Sequence, residues 1–153
     1  MTGWLFDTNI LLELRRVRPE PKVVRFVAAQ SLEGVFVSSV TFSELRFGIE
    51  RAPDLSRRAA LHQWLTYVVR PMFEGRVLPV SEDVMFTWRL LVEQGRKARH
   101  TFSQPDLIIA ATAPRHGLTV VTRDTGDYAR AGVTLFNPWI DSMPDAASSC
   151  GVT

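Results

Sequence analysis

Short apolar segments alternate along the chain with longer segments in which apolar residues recur every three or four positions. The short segments predict five strands, at residues 4–6, 35–37, 77–80, 119–122 and 134–136. The longer segments predict helices, because residues at this spacing share one helix face. Strands that alternate with helices favour an α/β fold in which helices cover both faces of a parallel sheet.

Three of the helical patterns are well defined. Their apolar positions are Val23, Phe26 and Val27 in the first, Leu61, Leu65, Val68 and Met72 in the second, and Val84, Trp88 and Leu91 in the third. We expect the second helix to end near Pro71 and the third at Gly95, since Pro and Gly interrupt helices. After "FNPW" at residues 136–139 the pattern dissolves, so we expect one domain over residues 1–140 and a loosely ordered tail over residues 141–153.

Composition is typical of a globular protein. Of the 153 residues, 46% are hydrophobic and 22% charged, and the formal net charge is only +2. Lys22 and Lys97 are the only lysines, and the arginine excess suits phosphate partners, although a genomic bias towards Arg codons explains it equally well. The single cysteine, Cys150, excludes an internal disulfide and a cysteine metal cluster. No signal peptide or membrane-spanning run is evident, so we expect a cytoplasmic protein.

Four acidic residues follow predicted strands or begin the helices beyond them. They are Asp7, Glu44, Asp106 and Asp124. The carboxyl ends of parallel strands meet at one edge of a sheet, so we expect these side chains to converge. Two carboxylates about 4 Å apart repel by roughly 4 kcal/mol at an effective dielectric constant near 20, and such a cluster holds protons or binds cations. Oxygen ligands without paired histidines favour Mg²⁺ or Mn²⁺.

Each acid also has a local structural explanation. Asp7 is a good N-cap for the helix that follows it. Thr41 and Glu44 fit a capping box, in which Val40 and Leu45 would form the hydrophobic staple.

The later acids have similar alternatives. Asp106 would lie in the first turn of a helix that begins at Pro105, where a negative charge is favoured. Asp124 stands in a turn-forming stretch, and Asp127 could replace or assist it. These local roles are compatible with a shared site at the sheet edge.

A divalent ion held by carboxylates suits phosphodiester hydrolysis. The ion lowers the pKa of a bound water and offsets charge on the phosphoryl oxygens, so no nucleophilic side chain is required. Thr8, Asn9 and Ser43 are candidates to orient the water or to support the acids.

Four motifs in this order resemble a known family. "FDTN", "TFSELRFG", "PDLIIAATA" and "VVTRDTGDY" are similar to those of PIN-domain ribonucleases of the VapC/FitB toxin type, and "FNPW" resembles the FitB-like branch. The resemblance implies a three-layer α/β/α sandwich on a central parallel sheet. It also implies an endoribonuclease that depends on Mg²⁺ or Mn²⁺, the toxin of a toxin–antitoxin pair. Such a toxin forms homodimers, is inhibited by a cognate antitoxin, and meets DNA only through that antitoxin.

The resemblance also assigns the site. It implies that Asp7, Glu44, Asp106 and Asp124 are the catalytic, metal-binding acids, and that Thr122 holds the metal-bound water. Many relatives have Asn at the position of Asp124 and an acid at that of Asp127, so the identity of the fourth acid stays open. Pro114 departs from the family pattern, and we expect the "PDLIIAATA" helix to end or kink near Ala113.

Two surfaces are candidates for partners. "GRKARH" at residues 95–100 places Arg96, Lys97 and Arg99 upstream of Asp106, as an RNA-binding loop or simply as a solvated one. Arg15, Arg16 and Arg18 pose the same alternatives. Apolar residues at helical spacing are candidates for an antitoxin groove, or else for the core: Leu45, Phe47, Leu61, Trp64 and Leu65.

Two other functions remain open at this stage. "WLFDTN" is similar to the opening of haloacid dehalogenase-like phosphatases, but that chemistry requires an Asp where Asn9 stands and a later lysine, and Lys97 precedes "VVT". The chain could also be a non-catalytic subunit that binds an antitoxin in a DNA-bound repressor complex.

Overall fold

The computed structural model describes residues 3–144, and residues 145–153 of the expected tail lie outside this range. The strands are β1 (Trp4–Phe6), β2 (Val35–Ser38), β3 (Val77–Leu78), β4 (Thr119–Val121) and β5 (Leu135–Phe136). The helices are α1 (Thr8–Arg15), α2 (Pro21–Ala29), α3 (Ser39–Glu50), α4 (Leu55–Trp64), α5 (Arg70–Met72), α6 (Glu82–Lys97), α7 (Gln104–Arg115) and α8 (Thr125–Arg130). In the part of the chain described, no helix is long and apolar enough to span a membrane.

The five strands form one parallel sheet in the order β3-β2-β1-β4-β5. All four strand pairs are parallel. The predicted α/β fold with a central parallel sheet is therefore confirmed. The chain moves from β1 outward through β2 and β3, and then returns to the other side of β1 with β4. The topological switch point thus lies between β1 and β4, where open parallel sheets open a crevice at their carboxyl edge.

Two apolar cores cover the two faces of the sheet. Adjacent residues of a strand point to opposite faces. Phe6 accordingly packs with Phe26 and residues of α1, α3 and the α4 region, whereas Leu5 packs with residues of α6, α7 and α8. This arrangement is the expected three-layer α/β/α sandwich. It buries β1 on both faces and brings the end of β1 to the centre of the molecule.

The second predicted helix is found, but one of the residues expected on its buried face is exposed. α4 continues through a π-helical turn over Leu65–Val69 into α5, which ends at Met72, close to the expected end near Pro71. Val68, expected on the inner face, is 51% exposed, and Val69 is buried instead. A π-helical turn has more residues than an α-helical one, so Val69, and not Val68, lies on the same buried face as Leu65.

One predicted helix end is wrong, and another is close to its expected position. α6 passes through Gly95 and ends at Lys97, and α7 passes through Pro114 and ends at Arg115. A Cβ at Gly95 would lie 2.8 Å from the carbonyl oxygen of His100 and 2.8 Å from the ring of Phe102, so this glycine allows the following loop to pack on the helix. Pro114 falls in the last turn of α7, where little of the helix remains for it to interrupt.

Candidate active site

Asp7 ends the central strand at the switch point of the sheet. Its backbone N–H donates to the Val121 carbonyl of β4 at 3.0 Å, which extends the β1–β4 pairing by one residue. Its side chain is only 4% exposed. Asp7 is also the N-cap of α1, as the sequence predicted. Its Oδ1 accepts a hydrogen bond from the Thr8 N–H at 2.7 Å. The cap therefore fixes the direction of the carboxylate.

The electrostatic environment of Asp7 is unusual for a carboxylate. Burial raises its pKa above the ordinary value, and the charge of Asp124 acts in the same direction. Hydrogen bonds from the Thr122 hydroxyl and the Thr8 N–H oppose this rise. The other carboxylate oxygen, Oδ2, accepts from the Thr122 hydroxyl at 2.8 Å. Asp7 is therefore a buried acid whose two oxygens are held by donors from α1 and from the end of β4.

Thr122 organises the floor of the site. Its buried hydroxyl donates to Asp7 and accepts from the Asn9 side chain at 3.1 Å and from the Asp124 N–H at 3.0 Å. One donation and two acceptances use the full capacity of a hydroxyl group. The expectation that Thr122 holds a metal-bound water is therefore not supported, because the group has no free position for it. Thr122 instead positions Asp7 and the turn that carries Asp124.

The two polar residues after Asp7 support it from α1. The Asn9 amide donates to Thr122 and, at 3.5 Å, weakly to Asp7, while its oxygen accepts from the Arg123 N–H at 3.4 Å. The Thr8 hydroxyl donates to Thr41 at 3.3 Å and so ties α1 to α3. Asn9 thus fastens the ends of β1 and β4 to α1, and Thr8 fastens α1 to α3.

Asp106 lies at the N-terminal end of α7, in the first turn of the helix. Its pKa is raised to about 6, first by partial burial and then by the charges of Asp7, Asp124 and Asp127. The sequence-based prediction that acids from β1, α7 and the β4 turn meet at one place agrees with this mutual repulsion. The apolar remainder of α7 is buried in the core and fixes the position of its first turn.

Asp124 and Asp127 differ in what their carboxylates contact. Both oxygens of Asp127 are engaged: Oδ1 contacts the His100 ring nitrogen at 3.0 Å and Oδ2 accepts from the Ser103 N–H at 3.0 Å. The Ser103 N–H contact, followed by that of His100, lowers the pKa of Asp127. Asp124, by contrast, is the exposed N-cap of α8 and makes no side-chain capping bond. Asp124 is therefore the better candidate for the fourth acid, while Asp127 anchors the loop before α7.

Glu44 has different surroundings from the other three acids. It is exposed on α3, in the same groove as Thr8, and it is not among the main charges that raise the pKa of Asp7 or Asp106. The capping box predicted for it is wrong, because α3 begins earlier. The N-cap is Ser38, whose hydroxyl accepts from the Val40 N–H, so Glu44 lies in the second turn.

The remaining predicted supporting and basic residues are on the surface. Ser43 is exposed on α3. Arg96 and Lys97 belong to the last turn of α6, not to a loop, and Arg96 forms an ion pair with Glu93 at 2.9 Å. Arg99 is exposed and adopts a left-handed backbone conformation, with φ of 56°.

Tyr128 is a site residue that the sequence analysis missed. It is fully buried on α8, and its hydroxyl interacts with Asp7, although the contact is outside the limits of a well-formed hydrogen bond. Burial and the neighbouring charges of Asp7 and Asp106 raise the pKa of the phenol, so it stays protonated. Its signal in the sequence is the spacing of four residues from Asp124, which places it one helical turn after the cap.

The acids fit a divalent cation, with fewer protein ligands than expected. Within residues 3–144, no three Asp, Glu, His or Cys side chains lie close enough together to bind one metal ion. Mg²⁺ is commonly held by one or two carboxylates and keeps several waters. The pKa of Asp106 is raised first by burial and then by repulsion from neighbouring carboxylates, and a cation would relieve that repulsion. The donor set therefore suits a hydrated Mg²⁺ or Mn²⁺ and does not suit a cage of four acids.

An apolar groove opens beside the site. Its volume is about 680 Å³, and its apolar lining includes Leu12, Leu45, Ile49, Leu61 and Trp64. Three arginines, Arg15, Arg16 and Arg57, also line it. Three of the five residues predicted for a partner groove line it. Leu65 is in the core instead, and Phe47 is exposed outside the groove beneath the guanidinium of Arg51.

The sequence matches the family model described as "PIN domain" over residues 4–133. Toxin FitB of Neisseria gonorrhoeae is 37% identical over 137 residues, which cover 90% of this chain and 99% of the relative. The VapC ribonuclease Y4jK of Sinorhizobium fredii is 36% identical, with 88% and 96% covered. Among solved structures, FitAcB from Neisseria gonorrhoeae superposes with a TM-score of 0.84 at 36% identity, covering 90% of this chain and 99% of that one. FitAB bound to an IR36 DNA fragment gives the same TM-score at 34% identity, with 91% and 97% covered.

These matches agree with the fold. The chain belongs to the PIN-domain family, and within it to the group of FitB and VapC toxins. The predicted resemblance is confirmed, and the haloacid dehalogenase alternative is wrong.

Proposed function

We propose that this chain is the toxin of a toxin–antitoxin pair and acts as a metal-dependent endoribonuclease. The observation that carries the proposal is the carboxylate cluster at the β1–β4 switch point of a PIN fold, where Asp7 is buried and the charges of Asp7 and Asp124 help to raise the pKa of Asp106. The relatives named as ribonucleases support hydrolysis of RNA as the reaction.

In this proposal Asp7, Asp106 and Asp124 surround a hydrated Mg²⁺ or Mn²⁺, of which one or two of them are direct ligands, and Glu44 contributes from the groove. The bound ion would supply a water of lowered pKa and would offset negative charge on the scissile phosphate. Thr122 and the Thr8 N–H keep the Asp7 carboxylate in one orientation, so little reorganisation is needed when substrate arrives. Asp124 is exposed and faces solvent, where an RNA strand has access to it.

The antitoxin would occupy the apolar groove. An amphipathic segment buries its apolar side in such a groove, and Trp64 offers a large apolar surface there. Thr8 and Glu44 also line this groove, so a segment bound there would lie next to Asp7 and could block the acids. In this proposal the chain also forms a homodimer, works in the cytoplasm and meets DNA only through its antitoxin. Residues 1–140 form its PIN domain and residues 141–153 a tail.

Cleavage of single-stranded RNA by the purified chain, freed of antitoxin, tests the proposal. We expect cleavage with Mg²⁺ or Mn²⁺, none with a strong chelator, and at least a 100-fold loss in Asp106→Asn. Asp83→Asn is the matched control, because Asp83 is an exposed acid in the first turn of α6, away from the site. Cleavage at the wild-type rate in Asp106→Asn, or undiminished cleavage in chelator, would contradict the proposal.

A further inference from the structure

A second pocket lies beside the acids and differs in character from the apolar groove. Its volume is about 380 Å³, and its lining is the 19–21 turn together with Glu13, Arg16, Arg18, Arg123 and Trp139. Three arginines therefore line a space large enough for one nucleotide. Among the described residues that line it, Trp139 is the one large apolar side chain apart from the prolines of the turn.

Arg123 connects this pocket to the active site. It stands between Thr122, which holds Asp7, and Asp124, and its N–H donates to the Asn9 oxygen at 3.4 Å. Its backbone therefore belongs to the floor of the acid cluster, while its exposed side chain lines the pocket.

The "FNPW" segment holds the Arg123 side chain in place. The guanidinium carbon lies 5.4 Å from the centroid of the Trp139 ring, within the range of a cation–π contact. Trp139 is itself fixed by a turn in which its N–H donates to the Asn137 side chain at 3.0 Å, while the Asn137 amide donates to the Arg123 carbonyl at 3.4 Å. An arginine that is already oriented loses less entropy when it binds a phosphate.

The two carboxylates of the pocket already have donors within the chain. Glu13 is buried and accepts from the Glu20 N–H at 2.9 Å and from Arg16 at 3.2 and 3.3 Å. Glu20 caps α2 by accepting from the Lys22 N–H. Three arginines against two acids leave the pocket with a net positive charge. Within residues 3–144, neither Arg18 nor Arg123 forms an ion pair closer than 4.0 Å.

We propose that this pocket binds the sugar–phosphate backbone of the RNA strand next to the scissile bond, with Arg123 and Arg18 contacting a phosphate. The inference rests on the proposed function, because the neighbouring acids would repel an RNA strand unless positive groups beside them offset that repulsion. Arginines line both this pocket and the groove at Trp64, but the groove also has several large apolar side chains. The pocket therefore suits a phosphate better than an apolar protein segment, for which the groove is better suited.

Binding of a single-stranded RNA oligonucleotide at several salt concentrations tests the inference. Measurements in the Asp106→Asn background with chelator make the result independent of cleavage and of metal. We expect Arg123→Ala to weaken binding about five- to tenfold and to reduce the slope of log K against log salt by roughly one contact. Arg123→Lys should keep the salt slope and lose only part of the affinity. Lysine keeps the positive charge but lacks the two-pronged donor geometry of the guanidinium group.

Arg89→Ala is the matched control, because Arg89 is an exposed arginine of α6 outside the pocket. If Arg123→Ala and Arg89→Ala have the same affinity and salt slope, the inference is wrong. Unchanged RNA binding together with weaker antitoxin capture in Arg123→Ala would make the pocket a protein-binding surface and would also overturn it. A wild type that does not cleave RNA, combined with the expected loss in Arg123→Ala, would contradict the proposed nuclease and leave the RNA pocket supported.

Discussion

At the scale of single residues, one hydroxyl group connects most of the site. Thr122 contacts Asp7, Asn9 and the backbone of Asp124 at once. Because all three contacts are buried or partly buried, each atom left without a partner would carry the full cost of desolvation. The orientation of the acids thus depends on a residue that contributes no acidic group of its own.

Thr122→Val should separate positioning from charge. The change keeps the shape and removes the donor to Asp7, so we expect about 1–3 kcal/mol less stability and at least a tenfold slower cleavage of RNA. Chemical denaturation and a cleavage assay measure the two effects. Thr112→Val is the control, since Thr112 is equally buried and donates only to the Ile108 carbonyl within α7. Equal behaviour of the two variants would show that Thr122 has no positioning role.

The raised pKa of Asp106 predicts a stability change with a definite pH window. A native pKa of about 6 against an ordinary 3.8 means that the native state binds the proton more tightly than the unfolded state. The free energy of unfolding therefore falls as the pH rises from about 4 to 6, and stays lower above that. We expect Asp106→Asn to match the wild type at pH 4 and to be more stable at pH 7. The gain is about 1 kcal/mol, after the two-unit shift is discounted for partial exposure.

Thermal unfolding across this pH range measures the effect, as a rise of about 2–4 °C at pH 7. Asp127→Asn should do the opposite, since contacts with Ser103 and His100 lower the pKa of Asp127 and stabilise the native state once it is ionised above about pH 4. If Asp106→Asn lost stability at pH 7, Asp106 would be favourably paired and the proposed repulsion would be absent.

At the scale of elements, the loop between α6 and α7 determines where Asp106 stands. The His100 N–H donates to the Gly95 carbonyl at 2.8 Å, and Phe102 packs against the same glycine. Asp127 then holds the far end of the loop through Ser103, which is the N-cap of α7. The loop is thus attached to α6 on one side and to α8 on the other.

Gly95→Ala should be destabilising although alanine is the better helix former. Its Cβ would lie 2.8 Å from the His100 carbonyl oxygen, so the loop must move, at a cost of about 1–3 kcal/mol. Gly48→Ala in α3 is the matched control. No atom outside the adjacent backbone of α3 lies within 4 Å of its Cβ position, and we expect up to about 1 kcal/mol of added stability from helix propensity. Urea denaturation distinguishes the two, and a gain at both positions would contradict the packing argument.

Local patterns predicted the strands well because each one is an apolar segment between turns. β1 is found at the predicted residues, and each of the other strands differs from its predicted bounds at one end. The position of Asp7 follows from the same pattern. The contacts of Thr122 cannot be predicted from local patterns, because Asp7 and Asn9 are more than 110 positions away from it in the sequence. Gly95 was mistaken for a helix end because its reason, the packing of Phe102, is also a tertiary contact.

At the scale of the whole molecule, the order of the strands places acidic residues at a partly buried edge of the sheet. β1 lies between β2 and β4 under helices on both faces, so the acids at its carboxyl edge are partly desolvated and close together. The raised pKa values of Asp7 and Asp106 are the result. Burial and mutual repulsion thus both disfavour the ionised acids, and protonation, mutation or a bound cation reduces this cost.

A divalent cation should therefore raise the melting temperature of this protein. At ten times its dissociation constant, Mg²⁺ or Mn²⁺ would add about 1.4 kcal/mol, or roughly 3–5 °C. NaCl at equal ionic strength is the control for general screening. Asp106→Asn, already relieved of the repulsion, should gain little from the cation, because mutation and metal act on the same interaction and their effects do not add. A wild type that gains no more from Mg²⁺ or Mn²⁺ than from NaCl would instead favour a non-catalytic subunit that binds an antitoxin.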